Sequence, residues 1–382
     1  MSLVYSRFAA AALTAAMALS AGAALGQDAA GYQGAPRTIM WATGPIEFTD
    51  TTQYKKAPPY TIGFSNASVS NIWRVGMLHA IEAAAARHKD KIKKLIITDA
   101  NDDPAKQAAD IQDLVERGVD ILIVSAATSD ALDPAVTRAM KRGIPVVMVD
   151  RRVTSDNFVS FVTATDWALA RFMAQWLVET LDYKGNIVML PGLAGSSPAE
   201  NRILAAKAVF SQYPGIKILD LQYTDWSPAK GKQVMSAMIQ KYGKDINGVW
   251  ADHGLQGSGA IEAFVAAGYG KGEIPPSTCA DLNACLKLAV ENDVPVINFD
   301  YPPAMGGNAV DIAIEVLQGN PVPKIYEVNV DVAVSKGHET ESVKADKWVE
   351  DYVRMEKPGD LILSTGLGPD YDPATFKADY PK

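Results

Sequence analysis

GIPVVMVDRR, Gly143–Arg152, is the stretch whose reading decides the fold. Its residues 144–149 run apolar without alternation and end on one acid and two bases. A half-exposed strand would alternate, so this strand is covered on both faces, as in a parallel sheet between helices. Ligands of such sheets bind beyond the carboxyl ends of the strands, where Asp150 and Arg151 stand. A carboxylate accepts from hydroxyls and a guanidinium donates from a fixed fork, so the two neighbours offer both halves of polyol recognition. The plainer alternative is an exposed ion pair that merely ends a strand.

The surroundings repeat the same rhythm. Upstream, residues 60–65 read as a strand and 71–87 as a helix with Ile72, Val75, Leu78, Ala80 and Ile81 along one face. Residues 94–98 form the next strand. Asp103-Pro104 then caps a helix that carries Ile111, Leu114 and Val115 and stops at Gly118. VDILIVSA is a further buried strand, and a helix over 131–141 leads back to Gly143. After Thr163 the alternation restarts, with helices at 167–181, 198–210, 229–242 and 257–267 and strands at 187–190, 216–221 and 248–251. Residues 268–277 break it. A helix at 282–291, a strand at 295–299 and a helix at 305–318 follow, then a β-rich tail. Short connections and right-handed crossovers make this an α/β chain of two doubly wound parallel-sheet lobes. Trp167 and Trp176 are assigned to its core.

Composition narrows the function. The 382 residues are too many for one ordinary core, and 48% hydrophobic with 21% charged side chains suits a globular chain. Residues 1–26 read as a secretory signal peptide: Arg7, an uncharged Ala, Leu and Met run, and Ala24-Leu25-Gly26 as the cleavage site. No second long apolar span follows, so the product is expected to be soluble, exported to a bacterial periplasm and not membrane-inserted. Residues 27–57 read as a leader packed across the first lobe. Loss of Arg7 leaves 35 basic against 44 acidic side chains, a net charge of −9 that repels phosphate backbones and disfavours nucleic acid as a partner. Cys279 and Cys285 share an oxidising compartment, where a short disulfide loop is favoured over free thiols. Two sulfurs and one nearby acid do not make a zinc site. With four histidines, no Gly-x-Ser-x-Gly elbow, no His-Glu-x-x-His and no Gly-rich phosphate loop after the first strand, neither an enzyme nor a cofactor is expected.

Several motifs in order carry a resemblance: SVSNIW at 68–73, DLVERGVDILIVSAATSDALDPAV at 113–136, GIPVVMVDR, GLAGSSPAENR at 192–202, TDWSPAKG at 224–231 and Ala280-Asp281-Leu282-Asn283. From about Tyr60 to Asp331 the chain resembles the type I periplasmic sugar-binding proteins of ABC transporters, the ribose-binding kind in particular. The resemblance implies a hinge of three crossovers between lobes 58–163 plus 301–326 and 164–300 plus 327–382. It implies closure on a sugar or polyol, delivery to an ABC transporter permease, and action as a monomer. A periplasmic sensor input is the alternative. Position by position, Asn71 is similar to a hydroxyl-binding Asn, Trp73 and Trp226 to the stacking aromatics of opposite lobes, Arg202 to a cleft arginine and Asp281 to a late cleft aspartate. Asp150 and Arg151 match outright. Arg74 stands where the family has a second aromatic, His253-Gly254 where it has an Asn-Asp pair, and Asp300 where it has a Gln. These departures imply a related but different ligand. EIPPSTCA at 273–280 replaces a strand expected before Asp281, which leaves Asp281 as either a ligand group or a helix cap.

Overall fold

The computed structural model describes residues 46–345, 347–368 and 370–382; the expected signal peptide and residues 27–45 of the leader lie outside them. No helix among the described residues is long and apolar enough to cross a membrane.

Val146–Val149 and its neighbour Ile121–Ser125 are buried on both faces, as their unbroken apolar runs require. They sit inside a six-stranded sheet ordered Ile325–Glu327, Ser160–Thr163, Val146–Val149, Ile121–Ser125, Tyr60–Asn66 and Ile92–Asp99, parallel throughout. The second lobe has seven strands ordered Lys347–Trp348, Val332–Val334, Val296–Phe299, Ser277–Cys279, Gly248–Ala251, Gly185–Leu190 and Ile216–Leu221. There only Val332–Val334 against Val296–Phe299 is antiparallel. The chain passes between the sheets three times, at 163–166, 299–305 and 327–332. Both sheets therefore aim the carboxyl ends of their strands into one cleft.

Several local expectations change in three dimensions. Ser277–Cys279 is a strand after all, short because Pro275 and Pro276 precede it, yet paired on both sides. Helix Ile72–Arg87 buries Trp73, Met77, Ala80, Ile81 and Ala84, while Ile72, Val75 and Leu78 are only half covered. The rotation follows from helix Met305–Gln318, which approaches so closely that a Cβ on Gly306 would lie 2.5 Å from the Met77 carbonyl oxygen. Trp176 is buried, but Trp167 is 49% exposed, because it begins the outward stripe that continues through Arg171 and Gln175. Cys279 and Cys285 are joined as a disulfide that ties the strand to helix Asn283–Asn292.

The two ends of the described chain fasten onto the first lobe. Phe48–Thr49 pairs with Val322–Pro323, and Lys324 donates its N–H to the Glu47 carbonyl at 2.8 Å. The tail starts on the second sheet, but its last residues do not stay there as expected for 327–382. Leu95 donates to the Pro381 carbonyl at 2.7 Å, and His79 stacks on Phe376 with ring centroids 4.4 Å apart. Between these ends the tail covers two buried carboxylates. Ser364 donates both its N–H and its hydroxyl to Asp281, and Tyr352 donates its hydroxyl to the Asp300 carboxylate at 2.9 and 3.0 Å.

Burial holds both carboxyls above the usual carboxylate range, and for Asp300 the neighbouring Asp281 adds to the effect. A raised folded-state value means that their stability contribution is complete below the ordinary carboxylate value and is lost as pH rises through the raised one. The Tyr352 hydroxyl works against that loss by favouring the ionised form of Asp300. Tyr352→Phe should therefore cost about 1–3 kcal/mol, and the cost should grow with pH as Asp300 ionises. Urea unfolding of parent and variant across a pH series measures this; a cost that never rises with pH would contradict the buried, titrating carboxyl.

Candidate functional site

Non-glycine residues in left-handed conformation collect where strands meet the cleft: Asp102 (φ 58°), Asp150 (63°), Thr165 (42°), Asp225 (53°), Trp226 (51°) and Asp281 (65°). Each such corner costs about 1–3 kcal/mol and persists only where rigid surroundings impose it. Here they reverse the chain at the sheet edge. At Asp150 the backbone N–H donates to Val162 and that of Arg151 to Val149, so the turn is fixed from both sides.

On the first lobe Asn71 caps helix Ile72–Arg87 by accepting from the Arg74 N–H at 3.0 Å. Arg74, 1% exposed, donates to Asp150 Oδ2 (2.5 Å), Ser125 Oγ (3.0 Å), Asn66 Oδ1 (2.5 Å) and the Ser68 carbonyl (3.1 Å). Burial, then the nearby Arg151, lowers its pKa to about 10, which leaves it cationic at neutral pH. Arg151 donates to Asp102 at 3.3 Å and lies 3.6 Å from Asp150. For Asp102 the pull of Arg151 and its hydrogen bonds outweighs burial, so its pKa falls.

The second lobe answers with Arg202, whose Nε donates to Asp166 at 2.9 Å and whose Nη1 donates to the Asp252 carbonyl at 3.1 Å. Burial pushes the Asp166 carboxyl up to about 6 against the pull of Arg202. Trp226 donates its indole N–H to Asp252 Oδ1 at 3.0 Å. Its ring lies on Gly192, where a Cβ would stand 1.9 Å from a ring carbon, so only glycine fits beneath it.

Asn71, Trp73, Arg74, Asp150, Arg151, Arg202, Trp226 and His253 line one cavity. Asp281 and Asp300 do not line it; the tail has claimed both. Three lining residues escaped the sequence reading: Pro198, Leu255 and Tyr301. Tyr301 sits on the middle crossover, accepts from the Trp73 indole N–H at 2.6 Å and carries the Arg202 guanidinium 4.2 Å above its ring centre. Its place directly after Asp300 at a strand end was the available signal.

His253 is chemically distinct. Its Nδ1 accepts from the Leu255 N–H at 3.2 Å, so the neutral ring carries its proton on Nε2. That Nε2 is buried without a hydrogen-bond partner among the described residues. Burial, then Arg202, lowers the pKa to about 3, so the ring offers a neutral donor to whatever fills the cavity. An unmade bond of this kind costs about 1–3 kcal/mol, which an acceptor on a ligand would recover.

The lobes are closed. Arg151 lies 5.0 Å from the centre of the Trp226 ring, Ser129 donates to the Gly195 carbonyl at 3.1 Å, and the Arg152 N–H donates to Ser197 Oγ at 2.9 Å, each across the cleft. Guanidinium forks, carboxylates and tryptophan faces brought together from two lobes define a receptor for a small polar ligand with apolar faces. Residues 62–321 match the periplasmic binding protein domain, and the chain belongs to that family, in its type I sugar-binding form. It is 27% identical to the ribose import binding protein of Bacillus subtilis over 72% of this chain and 88% of that one. Over 46% of this chain and 50% of the other it is 33% identical to the xylitol-binding protein of Mycolicibacterium smegmatis. The fructose-binding periplasmic domain of a hybrid two-component system superposes with a TM-score of 0.67 at 29% identity, covering 73% of this chain and 92% of that domain. These relatives are binding proteins, not enzymes.

Nitrogen-15 NMR of histidine-labelled protein should show His253 as the neutral Nε2–H tautomer without titration between pH 8 and pH 5. A midpoint near the ordinary value of 6.5 would place the ring in water instead.

Proposed function

We propose that the protein, as a monomer in the periplasm, captures one monosaccharide or sugar alcohol between its lobes and delivers it to an ABC import permease. The observation that carries this reading is the pairing of Trp73 and Arg151 on one lobe with Trp226, Arg202 and His253 on the other around a single cavity. A ligand that touches both sets favours the closed state, because only closure makes both sets of contacts. The ring faces take the C–H side of a sugar, and the forks and the Asp150 carboxylate take its hydroxyls. Relatives named for ribose import and xylitol binding support the ligand class and the transport role. Reception of a sugar signal for a membrane sensor is the second reading, favoured by the likeness to the fructose-binding domain of a two-component system.

A thermal-shift screen against ribose, xylitol, fructose and other sugars and polyols tests the ligand class, since a ligand at 100 times its Kd stabilises by about 2.7 kcal/mol. Small-angle scattering should show the open protein contracting with the active compound, and that compound should be recovered unchanged. Arg151→Ala should weaken its binding by about 2–4 kcal/mol with the fold retained. Unaltered affinity in calorimetry would remove Arg151 from the site. Gly192→Ala should also weaken binding, by displacing the Trp226 ring; a variant indistinguishable from the parent would show that the ring position does not matter.

A further inference from the structure

Outside the cavity the cleft does not shut. It widens into a groove of about 570 Å³ that shares Asn71, Arg151, Trp226 and Leu255 with the cavity wall. The groove persists although the lobes already touch at Ser129 and Gly195 and at Arg152 and Ser197, so closure alone does not remove it. Its lining is mixed. Ile72, Leu193 and Leu282 provide apolar surface, and Asp225, Glu262 and Asp360 bring carboxylates. Lys230 and Lys232 lie 2.5 and 3.0 Å from the first two of these acids, in exposed ion pairs that leave carboxylate oxygens to accept further hydrogen bonds.

One wall comes from the tail. Ala284 donates its N–H to the Gly359 carbonyl at 2.8 Å, and a Cβ at Gly359 would already stand 3.1 Å from that of Ala284. This seats Gly359 and Asp360 against the groove, and both lie beyond residue 321, where the family match stops. Apolar patches beside carboxylates are what the C–H face and the hydroxyl edge of a second sugar ring require.

We propose that the groove is an outer subsite for a second sugar unit, so that the protein takes a disaccharide whose first ring occupies the cavity. The inference rests on the capture reading given above. Calorimetry with D-xylose and xylobiose, D-glucose and maltose, and D-galactose and galactobiose, with xylitol alongside, tests it. At least one disaccharide should bind within threefold of its monosaccharide. Glu262→Trp, on an exposed helix face, should weaken that disaccharide at least tenfold and leave the monosaccharide within twofold. Ser70→Trp on the opposite wall should do the same. Binding of xylitol or a monosaccharide with rejection of all three disaccharides would overturn the subsite and leave the capture reading standing. Equal effects of the two variants on both ligands would overturn it as well. Silence from every one of these compounds and from every sugar and polyol in the thermal-shift screen would defeat both readings.

Discussion

Two guanidinium groups, those of Arg74 and Arg202, must be neutralised inside the protein before the lobes can close over them. Removing an ion from water costs several kcal/mol, and a partner with good geometry is what offsets it. Asp150 does this for Arg74 at 2.5 Å and Asp166 for Arg202 at 2.9 Å. Much of the cleft follows from these pairs. Asp150 reaches Arg74 from the left-handed corner that ends Val146–Val149, and Asp166 stands at the first crossover, where helix Asp166–Thr180 begins. Arg74 spends its donors on four protein groups, whereas Arg151 has Asp102 at its Nη1 and Asp150 3.6 Å from its Nε.

The tail changes what the family pattern would place in the cleft. Asp281 and Asp300 lie at strand ends, where a ligand carboxylate belongs, yet Ser364 and Tyr352 satisfy them. A buried carboxylate with good donors has no need of a ligand, so the second lobe faces the cavity with Arg202, His253 and Trp226. Because the same tail goes on to His79 and Leu95, it also adds a tie between lobes otherwise joined by three crossovers.

Closure draws on few direct contacts. Arg151 over Trp226, Ser129 to Gly195 and Arg152 to Ser197 bring the lobes together. None of these is a large apolar surface, and interfaces of this kind within a chain allow relative motion. On the capture reading, a ligand that touches both lobes adds its own contacts to these.

By itself the sequence determined the alternation of strands and helices, the two-lobed class and most of the cavity. Buried parallel strands announce themselves as unbroken apolar runs, and the residues just after them, such as Asp150 and Arg151, have to face the cleft. Only the tertiary structure decided the rest. Trp167 lies outside the core because the rotation of its helix is set by neighbours distant in sequence. Tyr301 joins the cavity because the middle crossover runs between the lobes, and Asp281 and Asp300 leave it because residues 52 to 83 positions further on reach them first. Local pattern records which face of an element is apolar, but it does not record which distant donor arrives at a given carboxylate. That competition is settled by packing.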